Sequence, residues 1–145
     1  MDDGQEKLCP CPVARGLDLV GDRWSMLVLR DIERGMTRFD QLRMSMGIAP
    51  NILSSRLAAL TAAGLLEKSR YSERPPRFEY ILTAAGRDFI PILAAIGAWG
   101  AKHRGGGALT RMVDVQTGLD VEPVVIDAVS GAPIGTRPLT LVTPE

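Results

Sequence analysis

The chain has 145 residues, 46% of them hydrophobic and 23% charged, which excludes a disordered or fibrous protein and suits one domain with a buried core. Its 17 Lys/Arg balance 17 Asp/Glu, which taken alone argues against a nucleic-acid partner. The charge is unevenly placed, however: residues 22–104 hold 13 Lys/Arg against 8 Asp/Glu, residues 1–21 hold 2 against 4, and residues 105–145 hold 2 against 5.

The opening MDDGQEK is acidic and lacks an apolar core, so no secretory signal is expected. Two cysteines, Cys9 and Cys11, then point to a reducing compartment, the cytoplasm, and against a disulfide framework. A first helix is expected from near Pro12. In GDRWSMLVLRDIERG, Asp22 is placed as an N-cap, Trp24, Leu27, Val28 and Ile32 recur at helical spacing, and Gly35 is a stop. TRFDQLRMSMG follows, with Thr37 and Asp40 spaced as a capping box and Phe39, Leu42 and Met46 facing inward. APNILSSRLAALTAAG reads as the next helix, with Pro50 in its first turn and Gly64 at its end.

The period then changes from helical to alternating. LLEKSRYS and RFEYILT are strand candidates joined by ERPP, whose prolines are expected to hold an extended loop. Phe78, Tyr80 and Leu82 share one face of the second strand, Arg77 and Glu79 the other. TAAGRDFIPILAAIGAWGAKHR returns to helix, capped by Thr83 and kinked by Pro91; its apolar run is too short to span a bilayer. The glycines of RGGGALT divide residues 1–104 from a Gly-linked extension, 105–145, of short strands and turns, and no internal repeat is evident. The expected fold is mainly α with a small β wing: a winged helix-turn-helix with a short β-rich C-terminal extension.

In such a fold the second helix of the pair enters the DNA major groove. Centring the buried face on Leu53 brings Leu57 and Leu60 beside it and puts Asn51, Ser54, Ser55 and Ala58 outside. Small polar side chains there permit close approach and hydrogen bonds to base edges. Pro50 at the helix start and Arg38 before the preceding helix join the candidates. Arg56 lies on the flank, open to DNA or to a neighbouring carboxylate. Arg70, Arg74 and Arg77, with Lys68, surround the wing tip as phosphate ligands, unless Glu73 and Glu79 neutralise them.

The motifs CPV, GDRWSMLVLRDI, RFDQL, ILSSRLAAL, AGLLEK, PPRFEYILTAAGR and WG occur in this order between residues 11 and 103. Together they resemble an HxlR-type winged-helix transcriptional regulator, a group related to MarR. The resemblance implies a homodimer on double-stranded operator DNA, acting by default as a repressor. Its pairing surfaces would be the first helix, with Val13 and Leu17, and the helix after Thr83, with Phe89, Ile92, Leu93, Ile96 and Trp99. It also implies that Cys11, in the CPV position, matches the cysteine that senses oxidants, quinones or aldehydes in some members. A helix N-terminus would favour its thiolate; the alternative is an inert thiol packed at the dimer interface. Cys9 is an extra candidate. The extension departs from relatives whose tails carry cysteines, so no zinc site is expected there.

No metal or other cofactor is expected: structural zinc wants four ligands, and Cys9, Cys11 and His103 are the whole Cys/His supply. A Cys9–Cys11 disulfide would close a very small, strained ring. With one His and no phosphate-binding glycine loop or HExxH, an enzyme is not expected. The other reading is a dimeric interaction module of this fold without DNA binding. A small-molecule or redox effector is compatible with the regulator reading, and a membrane partner is not expected.

Overall fold

A computed structural model describes residues 10–145. Cys9 lies outside them. Six helices and two strands follow in the order α1 (Pro12–Val20), α2 (Arg23–Glu33), α3 (Phe39–Met46), α4 (Pro50–Ala62), β1 (Leu66–Glu73), β2 (Pro76–Leu82), α5 (Ala84–Asp88) and α6 (Ile90–His103). No described helix is long and apolar enough to cross a membrane. Two compact units form, one up to Arg87 together with Thr143–Glu145, and one of Asp88–Val142.

The first unit is built around α2 and α4. Asp22 caps α2 as expected, its carboxylate accepting from the Ser25 N–H at 2.9 Å and the Ser25 hydroxyl at 2.6 Å. Val28 and Leu29 of α2, Leu42 of α3 and Leu53 of α4 are wholly buried, and Leu57 and Leu60 nearly so. Each such side chain contributes roughly 1.5–3 kcal/mol by leaving water. Between α3 and α4, Gly47 takes a left-handed φ of +61° and Ile48 tucks into the core, which makes the tight turn of a helix-turn-helix.

One charged group shares this core. Asp31 is fully buried in α2 and is met by Arg30 Nε at 2.8 Å, the Ser45 hydroxyl at 2.7 Å and Arg34 at 3.7 Å. It therefore ties α3, through Ser45, to α2.

β1 and β2 pair antiparallel from Leu66↔Leu82 out to Glu73↔Pro76, with a register shift between Arg70 and Ser72 that leaves Tyr71 as a bulge. Leu66 is buried at the base of the hairpin. Gly86 of α5 is buried too, where an added Cβ would collide with the Leu65 carbonyl.

The structure corrects four expectations. Arg38, not Thr37, caps α3: the Gln41 side chain accepts from the Arg38 N–H at 3.1 Å. Both residue pairs have the spacing of a capping box, and Thr37 is drawn instead to the wing. The wing loop is no extended ERPP segment, because the ladder continues to Glu73 and Pro76, leaving Arg74 and Pro75 to join the strands through a cis peptide bond. The helix after Thr83 is broken rather than kinked: Thr83 caps α5 by accepting from the Gly86 N–H at 3.2 Å, α5 stops at Asp88, and Pro91 falls in the first turn of α6, where its missing N–H costs nothing. Finally, the extension holds isolated bridges, Val113↔Asp120 and Ile126↔Pro133, rather than strands, and these belong to a thirteen-residue repeat. Asp, Ser or Thr, and Gly recur in it (Asp114, Thr117, Gly118; Asp127, Ser130, Gly131), as do β-branched residues at Val113 and Ile126 and at Val121 and Ile134, a pattern too short to stand out in the sequence.

Candidate nucleic-acid interface

The exposed side of α4 carries Pro50, Asn51, Ser54, Ser55 and Ala58, opposite Leu53, Leu57 and Leu60. The helical wheel is thus correctly phased. Asn and Ser at the helix start offer donors and acceptors, and Ala58 adds no bulk to obstruct a groove wall.

Arg56 leans the other way. Its guanidinium is 3.7 Å from the Asp22 carboxylate, and its buried Nε lacks a hydrogen-bond partner. Partial burial pushes the Asp22 carboxyl up, but the bonds from Ser25 and the nearby Arg56 charge outweigh this and hold it below its ordinary value. Of the two partners open to Arg56, the carboxylate is the one it meets here, which joins α4 to the start of α2.

The wing's arginines divide into two kinds. Arg70 bonds to Glu73 at 3.2 Å, and its guanidinium lies 5.2 Å from the Phe78 ring. Lys68 stands 4.5 Å from the same ring. Arg74 and Arg77 make no ion pair with any described residue and are exposed. The carboxylates that might have neutralised them are engaged elsewhere, Glu73 with Arg70 and Glu79 with the Thr37 hydroxyl at 3.1 Å. The wing tip therefore presents two uncompensated guanidinium groups, the group best matched to phosphate.

Aromatic rings lie against the other cations of this region, Phe78 against Lys68 and Arg70 and Tyr71 against Arg38. Tyr71, the bulged residue of β1, lies 4.6 Å from the Arg38 guanidinium. Arg38, Tyr71, Arg77 and Phe78 line a shallow hollow of about 310 Å³ together with Phe39 and Asp40. A larger groove, about 570 Å³, runs between α4 and the wing and is lined by Phe39, Ser54, Ala58, Thr61, Ala62, Lys68 and Tyr80. The two candidate surfaces, helix face and wing, thus meet across one groove.

The remaining candidates are not among the residues that line that groove. Val13 and Leu17 are exposed on α1 at 67% and 54%. Cys11 is the extended N-cap residue of α1, half-buried and a free thiol, and its carbonyl receives the Arg15 N–H at 3.1 Å. In the second unit Ile92, Ile96 and Trp99 are exposed on α6, while Phe89 and Leu93 are half-buried. Among the described residues no cluster of His, Cys, Asp or Glu suited to a metal occurs.

Comparison with known proteins agrees with this geometry. A family model described as HxlR-like helix-turn-helix matches residues 19–106. An uncharacterized HTH-type transcriptional regulator of Mycobacterium tuberculosis is 38% identical over 135 residues, 92% of this chain and 84% of that protein. Among solved structures, PA1607, a proposed transcription factor, is 36% identical and superposes with a TM-score of 0.85 over 94% of this chain and 96% of its own. The redox regulator HypR in its reduced form is 32% identical with a TM-score of 0.61, covering 65% of this chain and 94% of its own. The first two similarities extend into the tail.

Proposed function

The chain belongs to the HxlR-like helix-turn-helix family of transcriptional regulators, and from that premise we propose that it is a homodimeric, sequence-specific DNA-binding repressor of the cytoplasm. α4 enters the major groove with Asn51, Ser54 and Ser55 toward base edges, while Arg74 and Arg77 hold the backbone from the wing. The observation that carries this reading is one groove bounded on one side by a small polar helix face and on the other by a wing whose tip arginines are unpaired. A module that had lost DNA binding would have no use for two exposed, uncompensated guanidinium groups at that place.

Dimerisation through α1 and α6 is supported by the exposed apolar side chains Val13, Leu17, Ile92, Ile96 and Trp99. Two copies related by a two-fold axis would present two α4 helices to a palindromic site. Cys11 supplies the signal: it is a free, half-buried thiol at the start of α1, and modification there by an oxidant or electrophile would disturb the pairing of α1 and release DNA. The likeness to a redox regulator supports the same assignment.

Gel-shift titration against DNA upstream of its own and adjacent genes tests the regulator reading. A salt-sensitive, sequence-preferring shift is expected; its absence at every such fragment would leave the interaction module as the better account. Cys11→Ser tests the signal. The variant should stay on DNA when diamide or a quinone releases the wild type, and equal release of both would assign Cys11 to packing.

A further inference from the structure

Two arginines from different elements line one hollow. Arg38 precedes α3 and Arg77 stands on β2, and both border the cavity of about 310 Å³, together with Tyr71, Phe78 and Asp40. Neither guanidinium has a hydrogen bond or an ion pair to any described residue, whereas Arg30, Arg34, Arg56 and Arg70 each meet a carboxylate. Asp40 is likewise without an ion pair among the described residues. The hollow therefore holds two positive charges against one negative. That surplus is equal and opposite to the single charge of one DNA phosphate.

The backbone beneath both arginines is held. The Arg38 N–H donates to the Gln41 side chain at 3.1 Å, and the carbonyl of the preceding Thr37 receives the Tyr80 N–H of β2 at 2.8 Å. Arg77 pairs with Ser72 in the ladder of the same hairpin. The separation of the two arginines is thus set by hydrogen bonds and not by a free loop. The Arg38 guanidinium also lies 4.6 Å from the centre of the Tyr71 ring. A ring face attracts a guanidinium without taking its N–H donors as a carboxylate would. Arg38 is therefore localised while its donors stay open to a ligand.

We propose that Arg38 and Arg77 together hold one backbone phosphate of the bound DNA, bridging the helix pair and the wing on a single strand, and that Tyr71 is the positioning residue that keeps Arg38 at this hollow. Two observations select that occupant. The charge surplus matches one phosphodiester, and a base edge has no need of two guanidinium groups. Phe39 lines both this hollow and the larger groove between α4 and the wing, so the two cavities adjoin. A strand whose bases meet α4 thus carries its backbone within reach of the hollow. The assignment rests on the DNA-binding reading and adds to it a contact from the helix pair, since that reading places only wing arginines on the backbone. Neither arginine holds the phosphate alone.

Fluorescence anisotropy of the full-length protein on a set of operators, each with one phosphate replaced by a neutral methylphosphonate, tests it. At one backbone position the wild type should bind about tenfold more weakly than to unmodified DNA. Arg38→Ala and Arg77→Ala should each be weakened by about that factor on unmodified DNA, and neither should lose anything further at that position. Tyr71→Leu keeps apolar bulk without a ring. It should weaken binding about threefold on unmodified DNA and not at all in the Arg38→Ala background, while Tyr71→Phe binds as the wild type does. Two different phosphates for the two arginines, or wild-type binding by Arg38→Ala, would overturn the shared phosphate, and weakened binding by Arg74→Ala would then keep the DNA docking. Wild-type binding by both Arg38→Ala and Arg74→Ala would overturn both. Wild-type affinity of Tyr71→Leu would overturn the positioning role of Tyr71.

Discussion

Thr37 and Glu79, forty-two residues apart, are joined by a hydrogen bond from the Thr37 hydroxyl to the Glu79 carboxylate at 3.1 Å, and the Thr37 carbonyl receives the N–H of the next residue, Tyr80, at 2.8 Å. The turn leading into α3 is thereby fastened to β2, so the helix pair and the wing are held as one body. The side-chain bond is charge-assisted, and its net contribution should be about 1.5–3 kcal/mol or less, given its partial exposure. A double-mutant cycle of Thr37→Val and Glu79→Gln in urea should show a coupling energy of about 0.5–1.5 kcal/mol. Strict additivity would mean that the two side chains do not cooperate in solution.

The face of α4 should govern sequence choice. Asn51→Ala and Ser55→Ala are expected to change base preference by about 1–3 kcal/mol at individual positions while leaving the melting temperature near the wild-type value, since both residues are exposed. Selection of bound sequences from a random library reads this directly. Unfolding of either variant would instead show that these residues face the core.

The buried carboxylate of Asp31 should matter for stability rather than for recognition. Its removal in Asp31→Ala leaves Arg30 and the Ser45 hydroxyl without the partner they meet at 2.8 and 2.7 Å. Breaking such a buried pair costs about 3–5 kcal/mol, measurable as a lowered urea midpoint. A loss under about 1 kcal/mol would show that water replaces the carboxylate at no great cost.

Asp22 makes a pH-dependent contribution. Its carboxyl is held below the ordinary value of 3.8, so it binds protons less readily folded than unfolded. The stabilisation is therefore fully present above that ordinary value and is lost as pH falls through the lower folded one. Asp22→Asn keeps a side-chain oxygen for the cap but removes the charge facing Arg56. The wild type should be more stable than this variant near pH 6, with the gap closing below about pH 3.8. A gap that persists unchanged in acid would show that ionisation of Asp22 plays no part.

What could be read in advance was what local spacing dictates. Leu53, Leu57 and Leu60 recur at helical intervals against small polar neighbours, so the outward face of α4 follows from the wheel, and Asp22 before an apolar-periodic run is a cap by its position alone. The rest depended on distant partners. Thr37 fits an α3 cap by spacing, but pairing with β2 decides where it goes. Tyr71 meets Arg38 across a long stretch of chain, and Glu73 and Glu79 leave Arg74 and Arg77 unpaired because they are taken by Arg70 and Thr37. The tail's repeat lies in its backbone hydrogen bonds more than in its residues, so it emerged only with the fold.

The proposed docking, with α4 in the groove and the wing arginines on the backbone, is tested by fluorescence anisotropy against salt concentration on one selected operator. Arg74→Ala and Arg77→Ala should each weaken binding to every sequence alike and reduce the slope of log affinity against log salt by about one. A wild-type slope retained in both variants, or a changed base preference, would contradict the placement of the wing on the phosphates.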